Sequence, residues 1–201
     1  MLSMSGCISL PSNGSDKGPP PSIYTLHPPQ SGNAEPSRQA KAPAIIVVPK
    51  PEVPTGFDTE RIALYFEQGR RLDYYADAKW SGRLDDLLQD FIIQTARHNL
   101  PGKVVDTTDL AAAAQFKLSV KITDFQPVYP NGPDSAPRLD VAMTVTLITV
   151  PGGTVKANVS VKHSAPASAN RLSVITKELE ALLQSLTDQA LREIAPHLAE
   201  P

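Results

Sequence analysis

Three stretches in the second half of the chain alternate strictly with period two, and this constrains the fold more than any other feature. Phe116, Leu118, Val120 and Ile122 alternate with Lys117, Ser119, Lys121 and Thr123. Leu139, Val141, Met143, Val145 and Leu147 alternate with Asp140, Ala142, Thr144 and Thr146. Val155, Ala157, Val159 and Val161 alternate with Lys156, Asn158, Ser160 and Lys162. Successive side chains of a strand point to opposite faces, so each run carries one apolar and one polar face. Antiparallel strands covered on one side read this way. Residues 130–137 and Pro151-Gly152-Gly153 supply the turns between them.

Such a sheet needs a cover, and two segments provide it. Across residues 82–99, Leu84, Leu87, Leu88, Phe91, Ile92 and Ala96 fall at helical spacing, with Asp85, Asp86 and Gln89 on the other side. Acids in the first turn suit the helix dipole, and Pro101-Gly102 ends the element. A second stripe starts near Asn170, with Leu172, Ile175, Leu179, Leu182, Leu183, Leu186, Ala190, Leu191 and Ile194. Shorter β-prone runs are Ile23 to Leu26, an edge strand or a packed segment, and residues 44–48, ended by Pro49, Pro51 and Pro54. Residues 61–67 and 71–76 flank Gln68-Gly69-Arg70 as a hairpin in which Gly69 supplies the positive φ, and residues 103–106 form a last short strand. The expected fold class is α+β: a two-layer domain over residues 44–198, an antiparallel β-meander covered by two amphipathic helices.

Lys and Arg number 19 against 21 Asp and Glu, a formal net charge of -2. A nucleic-acid partner is not expected, since phosphate neutralisation requires a basic stripe. No run approaches the roughly 20 apolar residues that span a bilayer. The one cysteine excludes an internal disulfide framework and any multi-cysteine metal site.

That cysteine sits in Met4-Ser5-Gly6-Cys7, which resembles a bacterial lipobox: an apolar residue, two small residues, then the lipidated thiol. One acyl chain binds membranes only marginally, so two or three on Cys7 make the anchor. Only six residues precede Cys7, without Lys or Arg, so residues 1–6 are expected to be the remnant of a signal peptide that starts upstream. Residues 11–21 are rich in Pro, Ser and Gly, as a tether is, and residues 30–43 form a second flexible stretch. In polyproline geometry, at ~3.1 Å per residue, residues 8–22 hold a domain up to ~45 Å from the anchor. Residues 7–43 are therefore expected to be lipidated N-terminus and tether. Ile8 rather than Asp after the cysteine predicts retention at the outer membrane of a Gram-negative cell.

The order of features resembles a known family. After the lipobox come Tyr24-Thr25-Leu26, a Val-Pro-rich strand, and Gly56-Phe57-Asp58-Thr59-Glu60-Arg61-Ile62-Ala63. Then Leu72-Asp73-Tyr74-Tyr75-Ala76-Asp77-Ala78-Lys79-Trp80 leads into a helix containing Leu87-Leu88-Gln89. This is similar to the ABC-type transport auxiliary lipoproteins, including the Pqi-type lipoproteins of intermembrane transport. The Tyr-Tyr-Ala-x-x-x-Trp segment is the most specific part. The resemblance implies a non-enzymatic auxiliary subunit of an MCE-type lipid-transport system, anchored at the outer membrane and facing the periplasm. Its implied partners are an MCE-domain protein and ABC permease subunits, with phospholipid and a homo-oligomer also compatible. The alternatives are a stand-alone periplasmic lipid-binding carrier and a structural or assembly lipoprotein of the envelope.

Tyr74, Tyr75 and Trp80 are the candidate partner or lipid contacts, because aromatic rings dominate binding hot spots. Against this, a large ring at a strand-to-helix junction commonly seals the core, and adjacent strand tyrosines must face opposite sides. His27, His98, His163 and His197 are scattered without metal-ligand spacing, so no metal or other cofactor is expected. Asp85-Asp86 point ~100° apart on a helix and do not form an acid/base pair. No nucleophile elbow or phosphate-cradling loop appears, and no enzymatic activity is expected. Asn158-Val159-Ser160 matches a glycosylation sequon but lies mid-strand.

Overall fold

The computed structural model describes residues 20–28, 44–68, 70–106 and 113–198. Among them, eight strands and two helices follow one another: β1 (Ser22–Tyr24), β2 (Ile45–Val47), β3 (Arg61–Phe66), β4 (Arg71–Trp80), α1 (Leu84–Asn99), β5 (Lys103–Val105), β6 (Phe116–Tyr129), β7 (Arg138–Thr149), β8 (Val155–Pro166) and α2 (Leu172–Ile194). A 3-10 turn, Ala195–Leu198, closes α2. The fold is α+β, as expected. Cys7, Gly69 and residues 30–43 lie outside the described residues.

The alternating runs become β6, β7 and β8, paired antiparallel in sequence order. The sheet is larger and more mixed than a meander. Its order is β1-β4-β3-β6-β2-β5, with β7 on the other edge of β6 and β8 beyond β7. One edge of β6 is shared: β2 lies parallel to its start, where Ile46 faces Phe116, and β3 lies parallel to its end, where Phe66 faces Tyr129. β1 with β4 and β2 with β5 are also parallel. Parallel pairing requires a crossover, and α1 lies in the connection that returns the chain from β2 to β5.

A bulge explains why the alternation of β6 stopped being readable. Ile122 faces Met143 but Asp124 faces Ala142, so Thr123 is an extra residue. The inward set shifts there from Phe116, Leu118, Val120 and Ile122 to Phe125, which faces buried Val141. The strand thus continues to Tyr129 with its apolar groups still inward. A larger offset bends β4: between Arg61↔Lys79 and Ala63↔Tyr74, two positions on β3 correspond to five on β4.

Both helices pack their stripes into one core with the sheet. Leu88, Phe91, Ile92 and Ala96 of α1 and Leu179, Leu183, Leu191 and Ile194 of α2 are each at most 1% exposed. Asp85 departs from expectation: it is buried rather than on the solvent side, because Arg83 and Lys50 reach over its carboxylate. Among the described residues, no helix is long and apolar enough to cross a membrane.

Candidate interaction site and family

Tyr74, Tyr75 and Trp80 all come from β4, but the structure sends them to three different places. The Trp80 indole is 2% exposed, inside the core, with its ring centroid 6.1 Å from that of Phe125. Its backbone N–H donates to the Glu60 carbonyl at 2.7 Å, which ties the end of β4 to the loop before β3. Of the two roles weighed for Trp80, its position is that of a core group.

The tyrosines, adjacent in sequence, find separate partners, as period two requires. Tyr74 donates its hydroxyl to the Gly56 carbonyl at 3.0 Å, and the Arg61 guanidinium lies 3.6 Å from its ring centroid. Gly56 has φ +92, and a Cβ there would lie 3.0 Å from the Tyr74 hydroxyl and from a Leu72 methyl. The Gly-Phe turn and the tyrosine segment, 18 positions apart in sequence, are one contact.

Tyr75 shares a 2.8 Å hydroxyl–hydroxyl hydrogen bond with Tyr129. Tyr129 donates to Asn170 Oδ1 at 2.9 Å, and Asn170 donates in turn to the Pro133 carbonyl at 2.7 Å. Burial, and then the bond to Tyr129, push the Tyr75 phenol far above its ordinary value; burial also raises that of Tyr129. Both hydroxyls stay protonated and serve as fixed polar pins between β4, the end of β6 and the entrance to α2.

Beside this chain lies a shallow cleft of about 390 Å³, lined by Phe66, Gln68, Arg71, Tyr129 and Gly132. The Phe66 and Tyr129 rings stand 5.6 Å apart, and the Arg71 guanidinium lies 5.0 Å from the Phe66 ring centroid. Aromatic walls with a cation suit contact rather than chemistry. Sequence reading missed Tyr129, Asn170 and Phe66. Phe66 lay in a strand it recognised, but Tyr129 lies beyond the bulge that ended the visible alternation.

A second polar cluster locks the segment after β2 onto α1. Lys50 bridges Asp85 at 3.6 Å and also pairs with Asp86, and Gln89 donates to the Val48 carbonyl at 3.1 Å. Arg83 holds Asp85 at 3.1 Å and reaches Asp58 at 3.7 Å. Burial alone would raise the Asp85 carboxyl, but the Arg83 hydrogen bond and the Lys50 and Arg83 charges outweigh it and hold it below the ordinary value. Among the described residues, no group of His, Cys, Asp and Glu is arranged to hold a metal, and no buried side-chain polar atom lacks a hydrogen-bond partner.

A family model described as the ABC-type transport auxiliary lipoprotein component matches residues 24–190. The chain belongs to this family. The match spans the described fold from the end of β1 into α2. A Xanthomonas campestris protein of the DUF330 family is similar in fold, with TM-score 0.71, 18% identity, and 88% of this chain covering 95% of that one. A second, uncharacterised protein has TM-score 0.67 at 15% identity, covering 88% and 99%. The PelC dodecamer of Paraburkholderia phytofirmans is more distant, with TM-score 0.50, 15% identity, and coverage of 78% and 90%. No curated protein matches the sequence. Membership makes this chain an auxiliary transport lipoprotein of the envelope, a class with a non-catalytic role.

Proposed function

We propose that this chain is the non-enzymatic, membrane-anchored auxiliary lipoprotein of an ABC/MCE-type intermembrane lipid-transport system. It is held at the outer membrane by acyl chains on Cys7, with its domain facing the periplasm. The family match over residues 24–190 carries the reading. The lipobox-like Met4-Ser5-Gly6-Cys7 and the Pro/Ser/Gly-rich stretch after it supply the anchor and tether. In this role the domain is a docking body: a packed core, half-buried hydroxyl pins and a shallow aromatic cleft lined by Phe66 and Tyr129. Tyr74 and Tyr75 act by fixing the loops around β4, and any lipid or partner contact runs through the rim they brace. The PelC neighbour is a dodecamer, which motivates a homo-oligomer here as well.

The deciding experiment is co-purification of the lipidated protein from its native envelope in mild detergent. Recovery of an MCE-domain protein with ABC permease and ATPase subunits is expected; their absence, with the lipoprotein intact and membrane-bound, overturns the proposal. Phospholipid retained by the isolated domain in native mass spectrometry would favour the stand-alone carrier instead.

A further inference from the structure

Among the described residues, three strands of the sheet pair on one side only, and they differ in kind. β1 and β5 have 3 residues each, whereas β8 has 12. Shortness is itself a protection for an edge. β8 lacks that protection: among the described residues it pairs with β7 alone, and Val155 at its start is 56% exposed. A bulge at Lys156, between Leu147↔Ala157 and Ile148↔Val155, interrupts the strand near its start; from Ala157 to Ala165 its outer border presents a row of backbone donors and acceptors, the template for strand addition.

Charge narrows what that row accepts. Between Val155 and Pro166 the strand carries Lys156, Lys162 and His163 and no acid. The acid that β7 brings beside it, Asp140 opposite Ser164, is held by Arg138 at 2.8 Å. A second β8 is a poor occupant. Antiparallel pairing of two copies brings lysines near lysines, and no register offers an acid; like charges close together destabilise a ladder. The strand also lacks the aromatic and Arg side chains that anchor protein interfaces through side-chain burial. Backbone pairing and attraction to negative charge are what it offers.

We infer that the free edge of β8 is a docking edge for an extended, acidic strand supplied by a partner protein.

Hydrogen exchange on the full chain tests it, with two synthetic 12-residue peptides that alternate threonine with glutamate or threonine with lysine as probes. The glutamate peptide is expected to slow exchange within β8 at least about tenfold, an effect that fades as salt rises from about 0.05 to about 0.5 M. The lysine peptide should leave β8 unchanged. The double variant Lys156→Glu/Lys162→Glu should reverse the preference, and Lys156→Arg/Lys162→Arg should keep it. Protection by neither peptide, equal protection by both, or protection confined to β1 or β5 overturns the proposal. So does protection of β8 that rises with protein concentration alone, which would make the occupant a second copy and the lysines a solubility device.

Discussion

Gly102 shows how one missing side chain can set the path of the chain. Its φ is +148, and a Cβ there would lie 2.6 Å from the Ala44 carbonyl oxygen, the acceptor of the Lys103 N–H at 2.8 Å. The glycine lets β5 close onto β2 directly after α1. Because the obstacle is backbone, relaxation is costly, and Gly102→Ala is expected to lower stability by roughly 1–3 kcal/mol. A urea midpoint that does not move would show that the turn has room to give. Trp80 is the counterpart in the core. Trp80→Ala is expected to cost about 3–5 kcal/mol, with a substantial part recovered by Trp80→Phe, read from denaturation midpoints. The Tyr75–Tyr129 bond is smaller: Tyr75→Phe leaves the Tyr129 hydroxyl still bonded to Asn170, so a loss of about 1 kcal/mol is expected. A loss above about 3 kcal/mol would mean that the hydroxyl chain behaves as one cooperative unit.

Between elements, the clamp of Lys50, Arg83 and Asp85 makes the attachment of the segment after β2 to α1 sensitive to acid. The folded Asp85 carboxyl lies below its ordinary value of 3.8, so the unfolded chain binds the proton more readily. Its stabilisation is complete above that value and is lost as pH falls through the lowered one. Asp140, bonded to Arg138 and Ser164 against the opposing effect of burial, has the same direction. Thermal stability should therefore fall below about pH 4, and Asp85→Asn should flatten that limb; an unchanged acid profile in the variant would remove Asp85 from the account. The long elements were legible because their periods were uninterrupted: β7 carries five inward residues in step, and α2 keeps its stripe from Ile175 to Ile194. The short parallel strands were readable as strands, but not in their partners, since Ile45–Val47 says nothing about lying beside both β5 and β6. The site was half legible. Tyr74, Tyr75 and Trp80 stood out as a motif, but Asn170 joins Tyr129 across 41 positions of sequence, a distance no local pattern spans.

For the whole molecule, a net charge of -2 hides segregation: β8 carries no acid, while the first turn of α1 carries two. Composition alone had no view of edges. The anchor belongs to this scale as well. Cys7→Ala is expected to move the protein from the membrane fraction to the soluble fraction without altering the fold. A variant that stays membrane-bound in a salt wash would show that something other than acyl chains holds it.

The strand order has a mechanical consequence. β1, the first described strand after the proposed anchor, lies at one border of the sheet, and β8 lies at the other. Five interstrand steps separate them, on the order of 24 Å at about 4.8 Å each. A bilayer pulling on the N-terminus would therefore draw first on three residues of β1 and on Leu26, seated in the core just behind them. The opposite border would feel that tension through the intervening strands and through α2, which accepts the His27 N–H at Glu180 Oε2, 2.8 Å away, and packs against β8. The domain would thus be loaded at one border of its sheet, with Leu26 the first core group to bear the pull, while whatever grips β8 would act at the other border.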